Sequence, residues 1–338
     1  MPNRSGERVS PRGWVCRPGV VEVLLRMWHR DSPDLVTLDF EATYTGHMLG
    51  AATVTGPGDA SGRGKLLSVV PHAHEPAGTA ASVEFLSQLI SGRSLAGDCG
   101  TVPRERLLEE AVLTVIPAGN PWGLSRAPIS AWDGKRYTNA EFWKIMKGVA
   151  ADGFSELPWR PQFDDSDAPA SHVGIVYEQI GAASFGEPNR CKACSLWTLI
   201  DRLSDVHQYR QFLNLHQGME AWTDHDTWLE FPTDEWLPDG AWRYSQDWSE
   251  HVLDAFEAVG GNPKRETGHY VEYRNAADGW SEDGRRVPWL IDWLTLKSGT
   301  SELTVEVQNN NHRTPPAKQR LLAYAALVAS AEYVIEHP

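Results

Sequence analysis

The chain has 338 residues, 41% of them hydrophobic, which is enough apolar material for one large core or two ordinary ones. A formal net charge of −14 argues against nucleic acid or an anionic membrane as partner, because both are held by basic surface. No apolar run approaches the roughly 18 residues of a membrane span, and four cysteines in so long a chain make no disulfide scaffold.

In chain order, the amino-terminal MPNRSGERVSPRGWVCRPG is basic but lacks the apolar stretch of a signal peptide, so a soluble, cytoplasmic protein is expected. LVTLDF (35–40) and LLSVV (66–70) read as strands, followed by a helix near Ala80–Leu89 with Val83, Phe85, Leu86 and Leu89 inward. RERLLEE reads as a helix before the buried strand AVLTVIP (111–117). NAEFWKIMKGVA (139–150) and LWTLIDRL (196–203) read as helices, and FLNLH (212–216) and ELTVEV (302–307) as strands. AKQRLLAYAALVASAEYVIEH (317–337) reads as a long closing helix. Helices alternating with apolar strands predict a single-domain α/β/α sandwich, with a mixed, mostly parallel twisted sheet covered on both faces. One domain over 1–338 is expected, with insertions near 150–210 and 222–285. Within residues 224–257, ten acidic residues stand against one arginine, together with Trp228, Trp236, Trp242 and Trp248. This segment reads either as a solvated acidic face or as an aromatic, acidic flap over a cleft.

The chemistry concentrates in KLLSVVPHAHEPAG. His72 and Glu75 follow a buried strand, and Pro76 and Gly78 force a turn that can point both side chains the same way. Zinc takes imidazole and carboxylate donors, and a catalytic site uses three of them and leaves a position for water. A third candidate, His216, ends the strand FLNLH and so can share the same carboxyl edge of the sheet, where open α/β folds place their sites. A solvated loop with incidental histidines is the competing reading.

The order HAHE, VIPAGNPWG, FLNLH and LTVEV resembles the zinc carboxypeptidases of the M14 type, from about residue 20 to the end. In that family an HxxE pair and a distant histidine bind zinc, an NPDG-like stretch follows a strand, and a late strand bears the catalytic glutamate. VPWLIDWLTLKSGTSELTVEV is similar to the family's SGGSIDW stretch and that late strand, with Asp292 fourteen residues before Glu306. The resemblance implies a zinc carboxypeptidase-like fold and a metallopeptidase or amidohydrolase that cleaves an amide bond in a peptide or peptide-like small molecule. One zinc per chain is expected, held by His72, Glu75 and His216, with a metal-activated water and Glu306 as general base. A carboxylate between Val305 and Val307 on a buried strand is costly unless it faces a polar site. Counting from Asn120 to the family's oxyanion-stabilising arginine lands on Lys135, beside Arg136. Arg136 is the preferred assignment and Arg126 the alternative.

Three departures concern specificity. NPDG has become NPWG, with Trp122 in place of the acid, and the family tyrosine position falls on Gly284. The DxNRN stretch that clamps a terminal carboxylate has LPWRPQFDD, with Arg160, as its nearest offering, and Arg286 is another arginine able to restore the charge. Weak discrimination between a free acid and its carboxamide is therefore expected. Two other functions compete: an N-acyl amino acid deacylase of the related zinc hydrolases, and a binding protein on the same fold without catalysis. Cys191 and Cys194 form a lone CxxC, read as ordinary thiols, a local disulfide or a redox-controlled lid. Oligomeric state is not legible.

Overall fold

A computed structural model of the chain describes residues 10–150, 155–157, 159–165, 170–218, 224–231, 241–265, 268–269 and 290–338. Helix α1 (Pro18–Asp31) leads to the hairpin β1 (Val36–Ala42) and β2 (Met48–Val54), then β3 (Gly64–Val69) and α2 (Pro76–Ser91). Next come α3 (Arg104–Glu110), β4 (Ala111–Ile116), α4 (Pro121–Arg126) and α5 (Asn139–Lys147). Three short strands follow, β5 (Gln162–Asp164), β6 (Glu178–Gln179) and β7 (Ser184–Gly186), forming a separate small sheet in the order β5-β7-β6. The chain continues through α6 (Ser195–His207), β8 (Gln211–His216), β9 (Thr227–Phe231), α7 (Ala241–Ala258) and β10 (Gly268–His269). It closes with α8 (Leu290–Ser298), β11 (Ser301–Val307) and α9 (Pro316–Glu336).

Among the described residues the main sheet has eight strands in the order β1-β2-β4-β3-β8-β11-β9-β10. The central pairings β4–β3, β3–β8 and β8–β11 are parallel, and antiparallel β1–β2, β2–β4 and β11–β9 flank them. Parallel strands need cover on both faces, and the side-chain alternation supplies it. Leu66, Leu213, Leu215, Leu303 and Val305 turn to one face, where α1, α2, α3, α7 and α9 build the larger core. Leu67, Val69 and Phe212 turn to the other, against Leu196, Leu199, Ile200 and Leu203 of α6 and Leu290 and Leu294 of α8. The expected α/β/α sandwich with a mixed, mostly parallel sheet is what forms. Small residues decide how close the layers come: a Cβ on Gly78 of α2 would stand 3.0 Å from a Val70 methyl.

In the described part of the acidic segment 224–257, the acidic residues Asp247, Glu250, Asp254 and Glu257 form the expected solvated face, on a helix that also builds the core. Strand β9 pairs with β11, and α7 buries Trp248, Val252, Leu253 and Phe256 in the larger core. Trp248 is fully buried and its indole N–H donates to Ser330 Oγ at 3.0 Å. The helical spacing of these apolar residues outweighs the charges around them, which line the outer side. Trp236 lies outside the described residues. No helix of the described residues is long and apolar enough to cross a membrane.

Candidate metal centre

β3 stops at Val69, and the chain leaves the sheet through Val70 and Pro71 to reach His72, Ala73, His74 and Glu75, the last residue before α2. The exit lies at the boundary between β3 and β8, where β4 has been added on one side of β3 and β8 on the other. This is the switch point at which open α/β sheets form a crevice. His216 is the last residue of β8, and Glu306 pairs directly with it across the β8–β11 ladder, so both face the same way. Side chains tie the two strand ends together. Gln217 Oε1 accepts from the N–H of Ala77 at 2.9 Å, capping α2, and Asn309 Nδ2 donates to the His74 carbonyl at 2.8 Å.

The donors meet closely. His72 Nδ1 lies 3.0 Å from Glu75 Oε1 and 3.1 Å from His216 Nδ1, which is itself 3.3 Å from Glu75 Oε1 and 3.1 Å from Oε2. All three side chains are buried. Ligands held tetrahedrally at zinc distances of about 2.0–2.1 Å are separated by about 3.4 Å, close to the edges of this triangle. A second donor set overlaps it: ligand atoms of His72, His74 and Glu75 lie within 4.8 Å of one another. The set containing His216 is tighter, and it draws on two strand ends held by the same sheet. It is the better cradle for a single ion.

The electrostatics point the same way. Burial pushes the His72 imidazole toward neutrality, but Glu75 and Glu187 outweigh it and raise its pKa to about 10. Glu75 is held well below the usual carboxylate range, against the effect of burial, by His72, His216 and His74. Glu187 is likewise lowered by His72 and Arg190 despite its burial. Buried carboxylates that bind positive charge this strongly, beside imidazole lone pairs, suit a divalent cation.

Glu306 Oε2 lies against the backbone of Gly218, where an added Cβ would stand 3.0 Å from that oxygen and 2.5 Å from the Trp228 ring. Trp228 is the β9 partner of Glu306. Arg136 is half-buried, on a loop whose Gly134 packs against the backbone of Asn310–His312 just past β11. Arg126 is anchored through one side of its guanidinium, while its Nη1 is buried without a hydrogen-bond partner among the described residues. Its guanidinium stacks on Trp122 at 4.1 Å and donates to the carbonyls of Ala170, at 3.1 Å, and Val173. Burial pushes its pKa down to about 10. Trp122, which replaces the acid of NPDG, is a core residue stacked on Phe185. Arg160 is exposed, its N–H on the Tyr177 hydroxyl at 3.3 Å. Arg286 and Gly284 lie outside the described residues.

Sequence reasoning passed over Glu187. Its Oε1 accepts from His72 Nε2 at 2.5 Å and from the Asn189 N–H at 2.8 Å, while Arg190 Nε lies 3.4 Å from Oε2. A carboxylate on the outer nitrogen of a ligating histidine fixes its tautomer and ring orientation. Arg190 also sits over Trp159, at 5.3 Å, and Trp159 is edge-on to His72 at 6.4 Å. The signal was present: Glu187-Pro188-Asn189-Arg190 keeps the acid-x-Asn-Arg order of DxNRN, with glutamate for aspartate and Cys191 for the last asparagine.

No family model matches the chain, and no curated protein matches it in sequence. Solved structures do match. Carboxypeptidase A from Helicoverpa armigera superposes with a TM-score of 0.61 at 12% identity, over 99% of this chain and 77% of that one. A metallo-carboxypeptidase from Burkholderia cenocepacia gives 0.56 at 14% identity, over 94% of this chain and 68% of that one. Bovine thrombin-activatable fibrinolysis inhibitor, solved in complex with a tick carboxypeptidase inhibitor, gives 0.56 at 15% identity, over 94% and 95%. At such identities the likeness is one of fold.

Proposed function

We propose that this chain, which has the metallo-carboxypeptidase fold, is a zinc-dependent hydrolase of amide bonds in peptide or peptide-like substrates. The observation behind this reading is the buried triangle of His72 Nδ1, Glu75 and His216 Nδ1, with edges of 3.0 to 3.3 Å at the sheet's switch point. Zinc there supplies Lewis acidity to the scissile carbonyl and to water. Glu306, alongside His216, takes the proton of the attacking water and returns it to the leaving amine. Arg136 is the residue assigned to the developing negative charge on the carbonyl oxygen. The test has two parts. Protein purified without chelator is expected to hold about one zinc per chain, lost in His72→Ala and His216→Ala. Glu306→Gln is expected to keep its zinc while turnover falls at least about a hundredfold, the scale of a lost general base. Zinc retained in both histidine variants, or unchanged turnover in Glu306→Gln, overturns the assignment.

Arg190 changes the expectation for specificity. Its side chain is 14% exposed, so a carboxylate meeting it is largely desolvated and charge-assisted hydrogen bonds count fully. A substrate with a free carboxylate next to the scissile amide is therefore expected to be preferred over its carboxamide. The expected ratio in kcat/KM is at least about a hundredfold, or some 2.7 kcal/mol. Arg190→Met is expected to remove most of that preference.

A further inference from the structure

We propose that Cys191 and Cys194 form a redox-active dithiol, able to close into a disulfide and to reopen by exchange with a small-molecule disulfide. The pair takes no part in the hydrolysis, and its assignment does not rest on the zinc reading. Both thiols are free, in residues 3% and 0% exposed. They converge on one spot: a Cβ on Gly186 would stand 2.7 Å from each sulfur, so the two sulfurs are no more than twice that distance apart. Only glycine leaves that spot open. Backbone bonds hold the pair there. The Cys194 N–H donates to the Cys191 carbonyl at 3.0 Å, closing a turn that brings the two residues together, and Cys194 is the last residue before α6. The N–H groups of Arg190 and Cys191 donate to the Glu187 carbonyl at 2.9 and 2.8 Å, which fixes the chain on the near side of the pair.

The two sulfurs are unequal. Cys191 Sγ donates to Gln162 Oε1 at 3.4 Å, and Gln162 is an exposed residue of β5, an edge strand of the small sheet. Cys191 therefore lies one side chain below the surface, whereas Cys194 is fully enclosed. Arg190 and Lys192 flank Cys191 in sequence, a cationic setting that draws an anionic disulfide such as oxidised glutathione. The Cys191 thiol is held below its ordinary range, first by the neighbouring thiol of Cys194. That of Cys194 is pushed well above the range, first by burial. The more acidic and more accessible thiol attacks, and the other resolves. In the first step the Cys191 thiolate attacks one sulfur of the small disulfide, that S–S bond breaks, and one small thiol leaves with the proton Cys191 gave up. In the second, Cys194 loses its proton and attacks Cys191 Sγ, and the other small thiol leaves with that proton. Two electrons and two protons pass from the protein to the small disulfide, and excess small thiol reverses both steps.

The experiment equilibrates the full-length protein, as purified, with glutathione buffers from reducing to oxidising, quenches with acid, labels the remaining thiols and maps them by mass spectrometry. The expected result is loss of the Cys191 and Cys194 thiols together into one disulfide, formed while circular dichroism shows the chain still folded. Excess reduced glutathione is expected to return both thiols. Cys194→Ser is expected to stop at a single glutathione on Cys191, and Cys191→Ser to leave Cys194 unmodified. Brief alkylation of the reduced wild type is expected to label Cys191 before Cys194, a measurement that needs no variant. The absence of a Cys191–Cys194 disulfide at every glutathione ratio overturns the proposal. So does a disulfide that forms only once the chain has unfolded, or labelling of Cys194 ahead of Cys191. None of these readouts involves zinc or turnover, so their failure is separate from failure of the hydrolase reading.

Discussion

On the proposed zinc reading, Glu187 sets how His72 meets the ion: it grips the outer nitrogen at 2.5 Å and is itself anchored by the Asn189 N–H. Glu187→Ala is expected to weaken zinc binding by roughly 10- to 100-fold and Glu187→Gln by less, since the amide oxygen still accepts from Nε2–H. Chelator competition measures both, and equal loss in the two would show that the carboxylate does not act through that hydrogen bond. The residues of the site were unevenly legible. His72, Glu75 and His216 stood out because imidazoles and a carboxylate at the ends of apolar strands are hard to explain otherwise. Glu187 did not, because it lies just past the three-residue strand β7 and its partner is 115 positions away. Arg126 drew attention by its place after NPWG, and part of its guanidinium is taken up by Trp122 and two carbonyls. A charge in a motif says nothing about which neighbours have already taken it.

Helix α6 begins at a polar junction that has its own pH dependence. Glu178 of β6 accepts from the Ser195 N–H at 3.1 Å and from Ser195 Oγ at 2.5 Å, at the first turn of α6. Burial nevertheless prevails over these bonds and raises the Glu178 pKa to about 7 from an ordinary value of 4.5. The folded state therefore holds this proton longer than the unfolded chain. Its stabilising contribution is complete below pH 4.5 and is lost as pH rises toward 7, by about 3 kcal/mol in all. Denaturant titrations at pH 5 and pH 8 are expected to show wild type losing more stability over that interval than Glu178→Gln, and parallel losses would refute the assignment. The same junction packs tightly: a Cβ on Gly186 would stand 2.7 Å from the sulfurs of both Cys191 and Cys194, which are free, buried thiols. Elements were legible where composition and burial agree. β4 is an unbroken apolar or β-branched run, β3, β8 and β11 carry apolar or β-branched stretches between polar residues, and each was read. β2, with the sequence MLGAATV, was not, because alanine and glycine have little strand preference. It is a strand because Gly50 lets the ring of Phe40 and the side chain of Leu25 come close, at 2.8 and 2.9 Å from where a Cβ would be. α7 was hidden by its acidic residues.

At the scale of the molecule, the sandwich followed from the alternation of apolar strands and helices, whereas the strand order did not, because pairing partners far apart in sequence leave no local mark. That order has a consequence for how the protein is made. β3 and β8 are neighbours in the sheet, yet Glu75 and His216 are separated by 141 residues of chain, and Glu306 pairs with His216 from further on still. Closing a flexible loop of that length costs roughly 4 kcal/mol in chain entropy. On the proposed reading, His216 joins the HAHE donors only once β3 and β8 are paired, so the ion is expected to bind a sheet already formed rather than to template its pairing. Stopped-flow refolding rates are expected to be the same with zinc and with chelator, while zinc slows unfolding, since binding favours only the native side of the barrier. Zinc-accelerated refolding would mean that the three donors assemble before the strands do. On the zinc reading proposed above, newly made chains are expected to fold first and compete for zinc afterwards, so a metal-starved cell is expected to accumulate folded, empty protein rather than aggregates.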